Sequence, residues 1–126
     1  MNGLMPDIAD DLIVALDLWI RGNADDYCLC KLVFDRYPDL PYKRNMMLYR
    51  NEHVVDPTQY SRYTSWTTDR AIAAVYGGPC RKLVCREFTR DEIFIKVDSV
   101  FPFYEFSYHV TNGYHLQHEV IVKPIG

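Results

Sequence analysis

The sequence predicts an α+β domain, and three observations carry that expectation. Apolar residues recur at helical spacing as far as Pro41, strand-type segments dominate after it, and one further helical segment is inserted among the strands. At 126 residues the chain has room for one domain, with residues 1–41 as a helical cap and 42–126 as a β-rich core.

Each element follows from local pattern. Asp7 precedes a stretch in which Ile8, Leu12, Leu16 and Trp19 share a helical face. Asp10, Asp11 and Asp17 fall largely off that face, and Gly22 is its stop. Asp25 or Asp26 then caps a second helix whose stripe reads Leu29, Leu32, Val33 and Tyr37. Pro38 and Pro41 end it, since proline disfavours helix in the residue before it. Residues 46–50 and 60–67, the latter rich in aromatic and β-branched types, read as strands. Thr68 and Asp69 start a helix over residues 69–76, which Gly77, Gly78 and Pro79 stop. Strands are expected at 82–88 and 93–97, separated by Thr89, Arg90, Asp91 and Glu92 as a turn or a single helical turn. Residues 101–108 read as extended but interrupted by Pro102, 111–113 as a loop, and 119–123 as the last strand.

Composition narrows the function classes. With 48% hydrophobic and 25% charged residues, a disordered or collagen-like chain is excluded. Fourteen Lys and Arg against seventeen Asp and Glu leave a net charge of −3, which argues against a broad phosphate-tracking nucleic-acid surface. It leaves room for a small pocket holding one base or nucleotide. No apolar run approaches the ~20 residues that span a bilayer, so no membrane partner is expected. The opening MNGLMPDIADD lacks a basic segment followed by an apolar one, so the expected compartment is cytoplasmic, with reduced thiols. Cys28, Cys30, Cys80 and Cys85 are spaced C-x-C and C-x4-C rather than as zinc knuckles, and no metal is expected. His109, His115 and His118 read as a polar loop, and Cys80 and Cys85 as buried inert thiols rather than nucleophiles.

Polar residues at strand ends carry the candidate chemistry. Arg50 closes Met-Met-Leu-Tyr-Arg. Ser65 and Thr67 lie two apart, so on a strand both hydroxyls face one side. Glu119 opens Glu-Val-Ile-Val, with Gln117 at the same-face spacing before it. Each has an ordinary reading as a surface cation, a satisfied hydroxyl or a strand-edge charge.

Taken in order, Tyr49-Arg50, Ser65-Trp66-Thr67 followed by a helix, and Gln117-His118-Glu119 followed by Val120-Ile121-Val122 form a pattern. It resembles that of the mono-ADP-ribosyltransferases of the Arg–Ser–Glu class, related to bacterial exotoxins. The resemblance spans roughly residues 42–124. Tyr114 matches the aromatic that the Rho-modifying branch carries three residues before its Gln. Asn51 stands where the family usually has Gly, and Trp66 and Thr67 replace the middle and last residues of its Ser-Thr-Ser.

The resemblance implies a split, mostly antiparallel β-sandwich with N-terminal helices and a cleft that holds NAD. The implied activity transfers one ADP-ribose from NAD to a macromolecule and releases nicotinamide. The implied catalytic residues are Glu119, a carboxylate for the developing ribosyl cation, and Gln117, which handles the acceptor. Arg50, Asn51, Ser65, Trp66, Thr67 and Tyr76 are the implied NAD-binding residues. Within that set Arg50 clamps the pyrophosphate or ribose, Ser65 orients Glu119, and Tyr76 or Trp66 stacks on nicotinamide or packs in the core. The segment 77–81 is the loop that folds over nicotinamide. A neutral Gln117 matches amide rather than arginine acceptors, so Asn or Gln of a target protein is expected, with Tyr114 touching that target. A nucleic-acid target stays open, as do an NAD glycohydrolase and an inactive binding module of the same fold. A phage protein or injected effector of this kind would act in the host-cell cytoplasm.

Overall fold

The structure, a computed structural model, describes residues 8–21, 26–40, 43–53, 61–75, 77–97 and 118–124. Two helices, α1 (Asp10–Arg21) and α2 (Tyr27–Phe34), precede β1 (Met46–His53) and β2 (Thr64–Thr67). Then come α3 (Arg70–Val75), β3 (Arg81–Phe88), a 3-10 turn (Arg90–Glu92), β4 (Ile93–Lys96) and β5 (Glu119–Val122). The expected α+β class stands.

In α1 the sequence dictates a sharp amphipathic stripe. Leu12, Ala15, Leu16, Trp19 and Ile20 are all buried, while Val14 is exposed. Asp10 and Asp11 occupy the first turn, where the helix dipole favours negative charge. The stripe expected for α2 is displaced. Val33 is buried and Tyr37 packs on the core as expected, but Leu29 and Leu32 are 50% and 61% exposed, and Cys30 and Phe34 are buried in their place. Both sets have helical spacing, and the set containing Phe34 hides more apolar area. Its ring meets Trp19, Tyr63 and Phe94 at centroid distances of 5.5, 5.2 and 4.6 Å. Asp26 takes the N-cap position of α2 without a side-chain cap bond, and Asp7 and Asp25 lie outside the described residues.

Polar contacts fasten the helices at their ends. Tyr37 donates its hydroxyl to Asp11 at 2.6 Å and Arg36 lies 3.1 Å from the same carboxylate. Lys31 and Tyr63 both donate to Asp35, at 2.7 and 2.8 Å. The Tyr37 hydrogen bond, aided by Arg36, holds Asp11 below the usual carboxylate range, and the Lys31 and Tyr63 bonds do the same for Asp35. Because both pKa values are depressed in the folded state, their stabilisation is present above the unfolded value of about 4 and is lost as pH falls through the folded one. Thermal melts across acid pH are therefore expected to show a falling midpoint that flattens in the double variant Asp11→Asn, Asp35→Asn. A profile unchanged by that double substitution would overturn the assignment.

The strands form one antiparallel sheet in the order β3-β1-β2-β5-β4. The sandwich expected from the resemblance would need a second sheet, and the strands among the described residues make only this one. The helices cover one face, where Tyr63, Phe94, Ile95, Val97 and Ile121 complete the core with α1 and α2. Leu48, Trp66, Phe88, Ile93, Val120 and Val122 cluster separately, on the other face. β5 is buried throughout, and its alternation turns Glu119 and Ile121 to the helix-covered face.

Boundaries shift modestly from expectation. β2 is shorter than the 60–67 expected, because Ser61 to Tyr63 approach it outside the ladder; Tyr60 lies outside the described residues. The start of α3 is as expected: Thr67 Oγ1 accepts from the Asp69 amide at 3.1 Å, and Asp69 accepts from the Ala71 amide at 2.9 Å. The turn before β4 is closed by a capping box between Thr89 and Glu92. The readings for 101–108 and 111–113 fall outside the described residues.

Candidate active site

Three strands meet in one row. Tyr49 of β1 pairs with Thr67 of β2, and Thr67 pairs with Glu119 of β5. β1 and β3 pair continuously from Met46–Phe88 to His53–Arg81, but β1 and β2 pair only at Tyr49–Thr67. Beyond that row β1 and β2 part, and a cavity of about 650 Å³ opens between them under α1, α2 and α3. That volume lies within the range of roughly 300–1,000 Å³ that holds small molecules and cofactors.

Glu119 lines this cavity and is only 8% exposed. Ser65 donates its hydroxyl to Glu119 Oε2 at 2.9 Å, so the orienting bond expected from the sequence is present. Trp19 Nε1 donates to the same oxygen at 2.8 Å and to Ser65 Oγ at 2.9 Å. Both donors thus converge on one carboxylate oxygen, and the indole, which has no acceptor, can take part only as a donor. His118, just before Glu119, has φ of 51°, in the left-handed region that non-glycine residues seldom adopt. Its carbonyl accepts from the Thr68 amide at 3.4 Å, which ties the entry of β5 to the end of β2.

Four cations line the same space: Lys31 of α2, Arg50 of β1, Arg62 ahead of β2, and Arg81 at the start of β3. Two of them also meet carboxylates of the protein, Lys31 with Asp35 at 2.7 Å and Arg50 with Glu52 at 3.8 Å. Arg50 does not share a face with Ser65 and Glu119. Its register partner is Val84, and its guanidinium carbon lies 5.9 Å from the Trp66 ring centroid, on the opposite face. A second contact is Glu52, at 3.8 Å. Arg50 reaches the cavity because the sheet opens beside it.

The remaining expected residues have definite places. Asn51 donates to the Ala73 carbonyl at 2.6 Å, pinning β1 to α3, and its own carbonyl accepts from Arg81 at 3.3 Å. That bond gives the position occupied by Gly in the family a packing role. Thr67 serves the β2–α3 turn through the Asp69 bond. The Trp66 ring is buried edge-on against Phe88 at 4.7 Å and donates to Thr64 at 2.8 Å, which is the core alternative. Tyr76, Tyr114 and Gln117 lie outside the described residues, as do His109 and His115. In the segment 77–81, a Cβ on Gly77 would stand 3.2 Å from the Ala74 carbonyl, so this close approach favours glycine.

Sequence reasoning missed Trp19 and Tyr27. Trp19 was one apolar member of a helical stripe, and its indole N–H meets a carboxylate a hundred residues away. Tyr27 stacks tilted on Trp19 at 4.9 Å and lines the cavity. Burial first, and the negative charge of Glu119 second, push its phenol above the ordinary range. Burial likewise raises the Cys30 thiol to about 11, and its sulfur donates to the Ala15 carbonyl at 3.3 Å. Cys80 and Cys85, expected to be buried, are exposed, at the turn before β3 and on that edge strand.

Among the described residues no group of three or more His, Cys, Asp or Glu side chains is placed to hold a metal ion. No helix among them is long and apolar enough to cross a membrane. No protein-family model matches the chain, and no curated protein or solved structure does either.

Proposed function

We propose that the chain is a mono-ADP-ribosyltransferase that uses NAD as substrate and releases nicotinamide. One observation carries the reading: Ser65 holds the Glu119 carboxylate at 2.9 Å inside a cavity also lined by four cations. A dinucleotide asks for both features, one at its reacting ribose and the other at its pyrophosphate. In the reaction the bond from ribose C1′ to the nicotinamide nitrogen breaks, its electron pair neutralising the pyridinium ring. Positive charge builds on the ribose, and Glu119 stabilises it, as carboxylates do at other glycosidic centres. A nucleophilic atom of the acceptor then bonds to C1′ and sheds its proton to solvent or a nearby base. Neutral Gln117 favours an Asn or Gln side chain of a protein as that acceptor, and Tyr114 contributes to target contact. A nucleic-acid acceptor remains within the same chemistry, and the compartment proposed is the cytoplasm, that of a host cell for a phage protein or an injected effector.

The test is label transfer from tagged NAD into a host-cell lysate, comparing wild type with Glu119→Gln. A labelled protein or nucleic acid seen only with wild type supports the transferase. Nicotinamide release without label assigns the glycohydrolase instead, and no turnover of NAD in any lysate overturns the enzyme reading in favour of a binding module. Arg50→Lys is expected to weaken NAD binding roughly tenfold in a calorimetric titration, because an ammonium cannot reproduce the guanidinium fork. Unchanged affinity would remove Arg50 from the binding site.

A further inference from the structure

We propose that Trp19 of α1 is a positioning residue that holds the Glu119 carboxylate for reaction, which makes the helical cap a working part of the site. The inference deepens the reading of Glu119 as the reacting carboxylate and rests on it. Its basis is the closed triangle in which the Trp19 indole reaches both Glu119 Oε2 and Ser65 Oγ, while Ser65 donates to that same Oε2. Two donors converging on one oxygen fix where the carboxylate sits, and a single hydroxyl on a strand end leaves it freer to rotate. The indole is itself held. It is largely buried, tilted against Tyr27 at 4.9 Å and against Phe34 at 5.5 Å. Ring packing thus sets the indole, and the indole sets the carboxylate. An indole N–H also stabilises negative charge without supplying a titrating proton, so Glu119 stays an electrostatic partner to the ribosyl cation.

Two measurements test this, one of them independent of any activity. The chain has two tryptophans and therefore two indole N–H signals. In acid titration of the free protein by nuclear magnetic resonance, the Trp19 signal is expected to follow protonation of Glu119. That response should vanish in Glu119→Gln while the Trp66 signal is unchanged. His118 adjoins Glu119, and Tyr27, Lys31, Arg50, Arg62 and Arg81 share the cavity. Tyrosine, lysine and arginine keep their protons throughout acid pH, so a response that persists in Glu119→Gln comes from a histidine or a different carboxylate and overturns the proposal. In the second measurement, Trp19→Phe keeps an aromatic ring and loses the donor. It is expected to lower the turnover of NAD about 10- to 100-fold with KM little changed, the factor that a lost hydrogen bond to a charged group represents. Wild-type turnover in Trp19→Phe overturns the positioning role. Should Trp19→Phe fail to fold, the indole titration decides alone. Should the wild type not consume NAD, the transferase reading fails while the titration still decides whether Trp19 holds Glu119.

Discussion

Glu119→Gln is expected to lose roughly 10²- to 10³-fold of nicotinamide release while keeping its fold, the scale on which removing one preorganised electrostatic partner acts. The substitution is nearly isosteric. The amide oxygen can still accept from Ser65 and Trp19, which reach Oε2 at 2.9 and 2.8 Å, so the triangle that ties α1 to β2 and β5 survives. What disappears is the negative charge, and a neutral amide stabilises a ribosyl cation poorly. Melting temperature and nicotinamide release should therefore separate, the first nearly constant and the second greatly reduced. Near-wild-type release would refute the role of Glu119. A parallel drop in melting temperature would mean that the charge is needed for folding, through the four cations around it, rather than for reaction.

How much of this was legible in the sequence depends on whether the signal was local. The α1 stripe, the start of α3 at Asp69 and the turn through Thr89–Glu92 are read from neighbours a few residues apart, and all are present. In α2 two helical stripes overlap, and only the aromatic cluster around Phe34 decides between them; that cluster spans separate elements and has no local signature. The Ser65–Glu119 bond could be expected from the order of motifs, because adjacent strands place both at one end of the sheet. Trp19 at the carboxylate could not, since nothing in an apolar helical stripe shows which member points its polar edge at a distant charge. Arg50 illustrates a third case. Its position in the chain was legible, but its face depends on strand alternation combined with the opening between β1 and β2, which is a property of the sheet.

Phe34→Ala is expected to destabilise the protein by about 3–5 kcal/mol, a large part of the ~5–15 kcal/mol that holds a typical domain folded. The ring is fully buried and makes aromatic contacts with Trp19, Tyr63 and Phe94, so its removal leaves a cavity where α1, α2 and the sheet meet. Urea titration should show a lower midpoint with little change in slope, and the melting temperature should fall by roughly 10–20 °C. Leu32→Ala on the same helix is the control. That side chain is 61% exposed, and its loss should cost under about 0.5 kcal/mol. Equal losses in the two variants would mean that α2 buries the Leu29–Leu32 face and not the Phe34 face. The same substitution bears on the site, because Phe34 is one of the two rings that hold Trp19 in place. Under conditions where Phe34→Ala is still folded, a loosened indole should orient Glu119 less well, so activity should fall before the global transition begins. In Leu32→Ala, with the packing around Trp19 untouched, activity and unfolding should instead be lost together.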